Sequence, residues 1–137
     1  MAKLGCNSWL ITFFGVSESD YYNWAVISFN ADAIEINHNI PWWAFWVKKS
    51  SIDYIITIED IEYIVADSAF DYGNVVVSFV GSAGTYNVSN RMTNWLNLLE
   101  YLEGRLPGFD INAIDNARDN PRCFYECWNK SRGGGTQ

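Results

Sequence analysis

Residues 89–104, SNRMTNWLNLLEYLEG, decide how the rest of this 137-residue chain is read. Met92, Trp95, Leu96, Leu99 and Leu102 recur at spacings of three and four, which places them on one stripe of a helix. Ser89 or Asn90 stands where an N-cap is wanted, and Gly104 stands where a helix end favours a left-handed residue. Pro107, just beyond, prevents a restart. Burying five such side chains is worth about 1.5–3 kcal/mol apiece, so the helix must dock on a large apolar surface. Nearly everything before it is strand-like, which makes the open end of a β-barrel or sheet the expected partner.

The strand signals run in order from the N-terminus. Residues 9–16 alternate as a first strand and Ser17-Glu18-Ser19-Asp20 is a polar break. Residues 24–29 and 33–37 form a hairpin around Asn30-Ala31-Asp32. Residues 40–47 read as an edge strand because Pro41 lacks a backbone donor. Alternation continues over 52–58, 61–65 and 75–80, with a loop at 67–73, and the Gly81-Ser82-Ala83-Gly84 turn leads into a short strand at 85–88. The sum is about seven antiparallel strands capped by one amphipathic helix. Past Pro107, Asp110 can cap a shorter helix whose apolar face is Ile111, Ile114 and Ala117, followed by a short strand or irregular run at 123–128. The expected organisation is a β-domain over 1–106, an extension packed on it over 107–130, and a disordered tail over 131–137.

Composition narrows the function classes. The chain has 16 acidic and 9 basic residues, a net charge of −7, and 17 % aromatic residues. Such a chain is repelled by phosphate backbones and anionic membranes, and its Lys and Arg form no stripe, which argues against a nucleic-acid partner and against a membrane one. Three cysteines, Cys6, Cys123 and Cys127, argue against a disulfide scaffold, and a reduced cytoplasmic location is the simplest expectation. Cys123 and Cys127 can pair only if a turn brings their Cα atoms within about 7 Å. One histidine and three dispersed cysteines give no zinc pattern, and no cofactor motif is present. The uncharged run 72–90 is too rich in Gly, Ser, Asn and Thr for a membrane span.

Few residues offer chemistry. His38 is the only histidine and sits in an Asn-His-Asn turn with no thiol or carboxylate beside it in sequence, so a solvated role is expected. Asp53, Glu59, Asp60, Glu62, Asp67 and Asp71 cluster without a calcium-loop pattern, and alternation turns Glu62 outward. Trp42, Trp43, Phe45 and Trp46 are the most unusual local feature. On a strand, Trp42 and Trp46 share one face with Ala44, while Trp43 and Phe45 share the other. One of the two faces must then be covered by the extension, a second subunit or a partner.

Segments 39–46 (NIPWWAFW) and 57–61 (TIEDI) are similar to a strand pair in bacterial pleckstrin-homology (PH)-like and GRAM-like domains, although Thr57 and Glu59 depart from that motif. Trp95, within 90–102, falls where the PH helix carries its tryptophan. The resemblance covers about residues 9–106 and implies a PH-like barrel or sandwich with a binding role and no catalytic residues. Phosphoinositide binding in that family needs a basic cluster in the first hairpin loop, where this chain has Glu18, Ser19 and Asp20, so the lipid role does not carry over. The expected function is a non-catalytic protein-binding module. Its concrete form is an acidic immunity- or inhibitor-type protein that neutralises a basic partner such as a toxin, through Trp42, Trp46, Glu59, Asp60 and Glu62. A homodimer through the same tryptophans, a membrane-surface or lipid-headgroup module, and an enzyme using the acidic cluster are the alternatives.

Overall fold

The computed structural model describes residues 3–5, 12–13, 16–68, 74–120 and 123–133. Its strands are β1 (Lys3–Gly5), β2 (Thr12–Phe13), β3 (Val16–Ser17), β4 (Ala25–Phe29), β5 (Ala33–His38), β6 (Tyr54–Thr57), β7 (Ile61–Asp67), β8 (Val76–Gly81), β9 (Gly84–Ser89) and β10 (Phe124–Asn129). The helices are α1 (Glu18–Trp24), α2 (Lys49–Ile52), α3 (Trp95–Arg105), α4 (Asn112–Asp119) and α5 (Lys130–Gly133). Seven strands of four or more residues lie in two open antiparallel sheets, ordered β4-β5-β6 and β1-β10-β7-β8-β9. The mainly-β expectation therefore holds, but the closed barrel does not. Among the described residues no ladder joins β6 to β9, the two edges that a barrel would have to pair. They meet through side chains instead: the Tyr54 and Tyr86 rings stack at 5.3 Å, and the Tyr54 hydroxyl donates to the Asn87 carbonyl.

The β4–β5 hairpin forms as its sequence dictates. Asn30 Oδ1 accepts from the backbone N–H of Asp32 and Ala33, and Asn30 N–H donates to Ala33 O at 3.0 Å, closing a tight polar turn. Helix α3 lies over this hairpin. Tyr101 Oη donates to Asn30 O at 2.6 Å, the Arg105 guanidinium to Ala31 O, and the Tyr101 ring meets Phe29 at 4.4 Å. The approach to α3 covers the outer edge of β4, because Thr93 N–H donates to Ala25 O and Thr93 O accepts from Ile27 N–H, each at 3.0 Å. Asn94, held at φ 79°, then turns the chain into the helix while its side chain donates to Ile27 O.

Helix α3 starts four or five residues later than its capping residues suggest, because Ser89 is still in β9 and Asn94 is the N-cap. Its buried stripe is Trp95, Leu98, Leu99 and Leu102, whereas Leu96 is 75 % exposed. Gly104 lies inside the helix, and the left-handed glycine is Gly108, after Pro107. Asp110 does serve α4, its Oδ1 accepting from Asn112 N–H at 3.0 Å, and Ala113, Ile114 and Ala117 are buried against β10 and β7. Residues 124–129 form an inner strand between β1 and β7. Trp128 is buried there, its indole N–H donating to Pro107 O at 2.9 Å.

Other expectations are corrected. The polar break at 17–20 opens into α1. In β7 a bulge between Ile61 and Tyr63 shifts the pleat, so Ile61, Ile64 and Ala66 are buried and Tyr63 faces solvent. That bulge brings Gly81 so close to Asp60 that a Cβ on it would lie 2.2 Å from the Asp60 carbonyl oxygen. Cys123 is disulfide-bonded and Cys127 is free and buried, so the two do not pair with each other. Residues 131–133 are helical, while 134–137, Asp71 and most of the first expected strand lie outside the described residues.

Candidate functional site

The 40–47 stretch is not a strand. Pro41, at φ −67° and ψ 152°, leads into a 3-10 turn over Trp42–Ala44, with Ala44 N–H donating to Pro41 O and Val47 N–H to Ala44 O. A 3-10 turn repeats every three residues, and this period sorts the side chains. Trp42 and Phe45 share the outermost face and are 88 % and 85 % exposed. Trp43 and Trp46 share the next face, half-exposed, with rings 6.3 Å apart. Ala44 and Val47 share the inward face, and Ala44 is fully buried. A reading with period two pairs Trp42 with Trp46, and this is why it misassigned the faces. Phe45 is as outward as Trp42.

A polar clasp closes the loop that carries this turn. Asp53 Oδ1 accepts from both His38 N–H and His38 Nδ1, each at 2.9 Å, and Asp53 Oδ2 accepts from Lys49 Nζ at 2.7 Å. His38 therefore does have a carboxylate partner, fifteen residues further along the chain, and is itself only 3 % exposed. Burial pushes the Asp53 carboxyl up, but the hydrogen bonds from Lys49 and His38 outweigh it and hold the group below its ordinary 3.8. The pairing also fixes the imidazole, leaving Nε2 as the ring nitrogen that Asp53 does not engage.

Behind the clasp lies a cavity of about 270 Å³ lined by Tyr21, Tyr22, His38, Ile52, Tyr54, Thr85, Tyr86, Asn87 and Met92. It occupies the gap between the β6 and β9 edges. Rings connect it to the exposed turn without a break. Phe45 meets Trp46 at 5.5 Å, Trp43 meets Trp24 at 5.8 Å, Trp24 meets Tyr21 at 5.6 Å and Tyr21 meets His38 at 6.5 Å. His38 then meets Tyr54 at 6.4 Å, and Tyr54 stacks on Tyr86. Turn, clasp and cavity are one continuous aromatic surface at one end of the β4-β5-β6 sheet.

The expected acidic residues stand elsewhere. Glu59 and Asp60 form a 3-10 turn at the far end of β6, and Glu62 is exposed on β7. Four residues of strand, about 13 Å, separate that end from Tyr54 beside the clasp, so the acids and the tryptophans do not form one compact patch. Lys130 Nζ reaches across from α5 to Glu59 O at 3.0 Å. Among the described residues no three His, Cys, Asp or Glu side chains gather as a metal site, and no described helix is long and apolar enough to cross a membrane. Sequence reasoning missed His38 with Asp53 and the tyrosine lining, since no local spacing links residues brought together from α1, β5, β6 and β9. Comparison with known proteins found no matching family model, curated protein or solved structure.

Proposed function

We propose that this protein is a non-catalytic protein-binding module whose contact face is the aromatic turn at 42–46. One observation carries the reading: Trp42 and Phe45 stand almost fully exposed on a turn fixed by Pro41, Ala44 and the Asp53 clasp. Large aromatics held rigidly in solvent lose little conformational freedom on binding and supply the anchors on which interfaces depend. The net charge of −7 favours a basic partner, as for an inhibitor- or immunity-type protein, with Glu59, Asp60 and Glu62 steering the approach rather than sharing the anchor patch. Two antiparallel sheets with α3 lying over one of them support the PH-like resemblance, whereas the open β6–β9 gap and the inner strand β10, which follows α3 and α4 in the chain, depart from it. The cytoplasmic expectation rested on unpaired cysteines, and the disulfide at Cys123 removes that ground.

The test is capture of partners from host lysate on wild-type protein and on Trp42→Ala/Phe45→Ala. A stoichiometric basic protein, lost in the variant and weakened by salt, is expected; equal capture by both proteins would overturn the assignment of the face. A second reading, a membrane-surface role, draws on the exposed Lys48 and Lys49 beside the tryptophans. Co-sedimentation with anionic vesicles, abolished by the same variant, would favour it.

A further inference from the structure

The cavity behind the clasp has a chemistry of its own. Its walls carry four tyrosine rings and one imidazole, completed by Ile52, Thr85, Asn87 and Met92. Among the described residues no lysine, arginine, aspartate or glutamate lines it. Successive rings are inclined to one another by 83° (Tyr21 to His38) and 50° (His38 to Tyr54), and Tyr54 and Tyr86 stack at 15°, so the lining rings lie in more than one plane.

We propose that this cavity is a binding site for a quaternary ammonium group. Ring faces carry the negative end of the aromatic quadrupole, and several rings set at different angles surround a cation better than they surround an anion or a hydrogen-bonding polar group. A quaternary ammonium needs no hydrogen-bond acceptor, which suits a lining whose Tyr54 hydroxyl is already committed to Asn87 O and whose His38 Nδ1 is committed to Asp53. The volume, about 270 Å³, falls just below the roughly 300 Å³ at which drug-sized ligands are held, so it fits a headgroup-sized cation. The acidic chain, at −7, raises the local concentration of any cation. The site stands independently of the protein-binding reading, because it uses the inner rings and not the exposed Trp42 and Phe45. The ammonium can come from a free choline-type molecule or from a phosphatidylcholine headgroup.

The test is an NMR titration of the full chain with choline chloride, following the tyrosine ring signals, against sodium chloride at equal ionic strength and against 3,3-dimethyl-1-butanol. That alcohol has the shape of choline without its charge. Saturable shifts are expected at Tyr21, Tyr54 and Tyr86, with the neutral isostere at least about tenfold weaker. No saturation at about 10 mM choline, where a 1 mM site would be nearly filled, would overturn the proposal. Equal response to the alcohol would overturn it as well, since the cavity would then be merely apolar. Tyr86→Leu should weaken choline about tenfold; Tyr21→Leu, on a different element, replaces it should that variant fail to fold, and unchanged affinity in the folded variant would count against the site. Pelleting with phosphatidylcholine vesicles, displaced by choline, would assign the lipid headgroup. Choline binding without pelleting would assign the free small molecule.

Discussion

Trp128 and Trp42 are the same residue type put to opposite uses. Trp128 is 6 % exposed on an inner strand that packs against α4 and pairs with β7, with its indole N–H satisfied by Pro107 O. Trp42 is 88 % exposed on a turn, and the atoms that fix that turn are backbone groups and the Asp53 carboxylate. Trp128, and Trp95 on α3, belong to the buried apolar core, and removing either side chain leaves a void there. Around Trp42 the frame is complete without the side chain. One region spends its aromatics on the core, and the other holds them out.

The largest effect should come from the core side. Trp128→Ala is expected to cost about 3–5 kcal/mol in urea unfolding, through the lost burial and the cavity left behind. A cost near zero would dissolve the contrast. Within α3 the same distinction appears on one helix: Leu98→Ala should cost about 2–5 kcal/mol, whereas Leu96→Ala, on the exposed face, should stay within about 0.5 kcal/mol. Equal costs would mean that the helix is rotated from its position here.

The clasp lies between these extremes. Asp53→Ala removes three charge-assisted hydrogen bonds, to His38 N, His38 Nδ1 and Lys49 Nζ, and should cost about 1.5–3 kcal/mol. The folded-state pKa of Asp53 lies below the unfolded value, so its contribution is complete above about pH 5 and fades as pH falls through the folded pKa. Stability of the wild type should therefore fall on the acid side more steeply than that of Asp53→Ala, and parallel curves would show that the clasp is not formed. The smallest effect is chemical. Burial, with Asp110 nearby, pushes the Cys127 thiol up to about 12, so it should not label in the native protein. With Cys123 disulfide-bonded, the denatured but unreduced chain should titrate one thiol of its three cysteines, and three would refute the disulfide.

What could be read in advance follows from how local each signal is. The β4–β5 hairpin and the existence of α3 and α4 were legible because Asn30, the leucine spacing and Asp110 act on their near neighbours. The α4 face was legible in part: Ile114 and Ala117 are buried with Ala113, while Ile111 precedes the helix and is only partly buried. The 42–46 turn was misread because Trp42, Ala44 and Trp46 satisfy a period of two as well as Trp42/Phe45, Trp43/Trp46 and Ala44/Val47 satisfy a period of three; only Pro41 and the small residue at 44 hint at the second. Leu96 fitted the helical stripe on spacing alone, and the packing direction of α3 excluded it. The bulge at Ile61 to Tyr63 inverted an alternation that the sequence shows cleanly. The His38–Asp53 pair and the tyrosine cavity come from tertiary assembly, which no window along the chain contains.

The most direct measurement is the urea unfolding midpoint of Trp42→Ala/Phe45→Ala beside that of the wild type. If these rings serve a partner and not the core, removing both shifts stability by less than about 1 kcal/mol in total, with an unchanged slope. A loss of about 3 kcal/mol or more would show that the turn is part of the packed core and would contradict its assignment as the contact face.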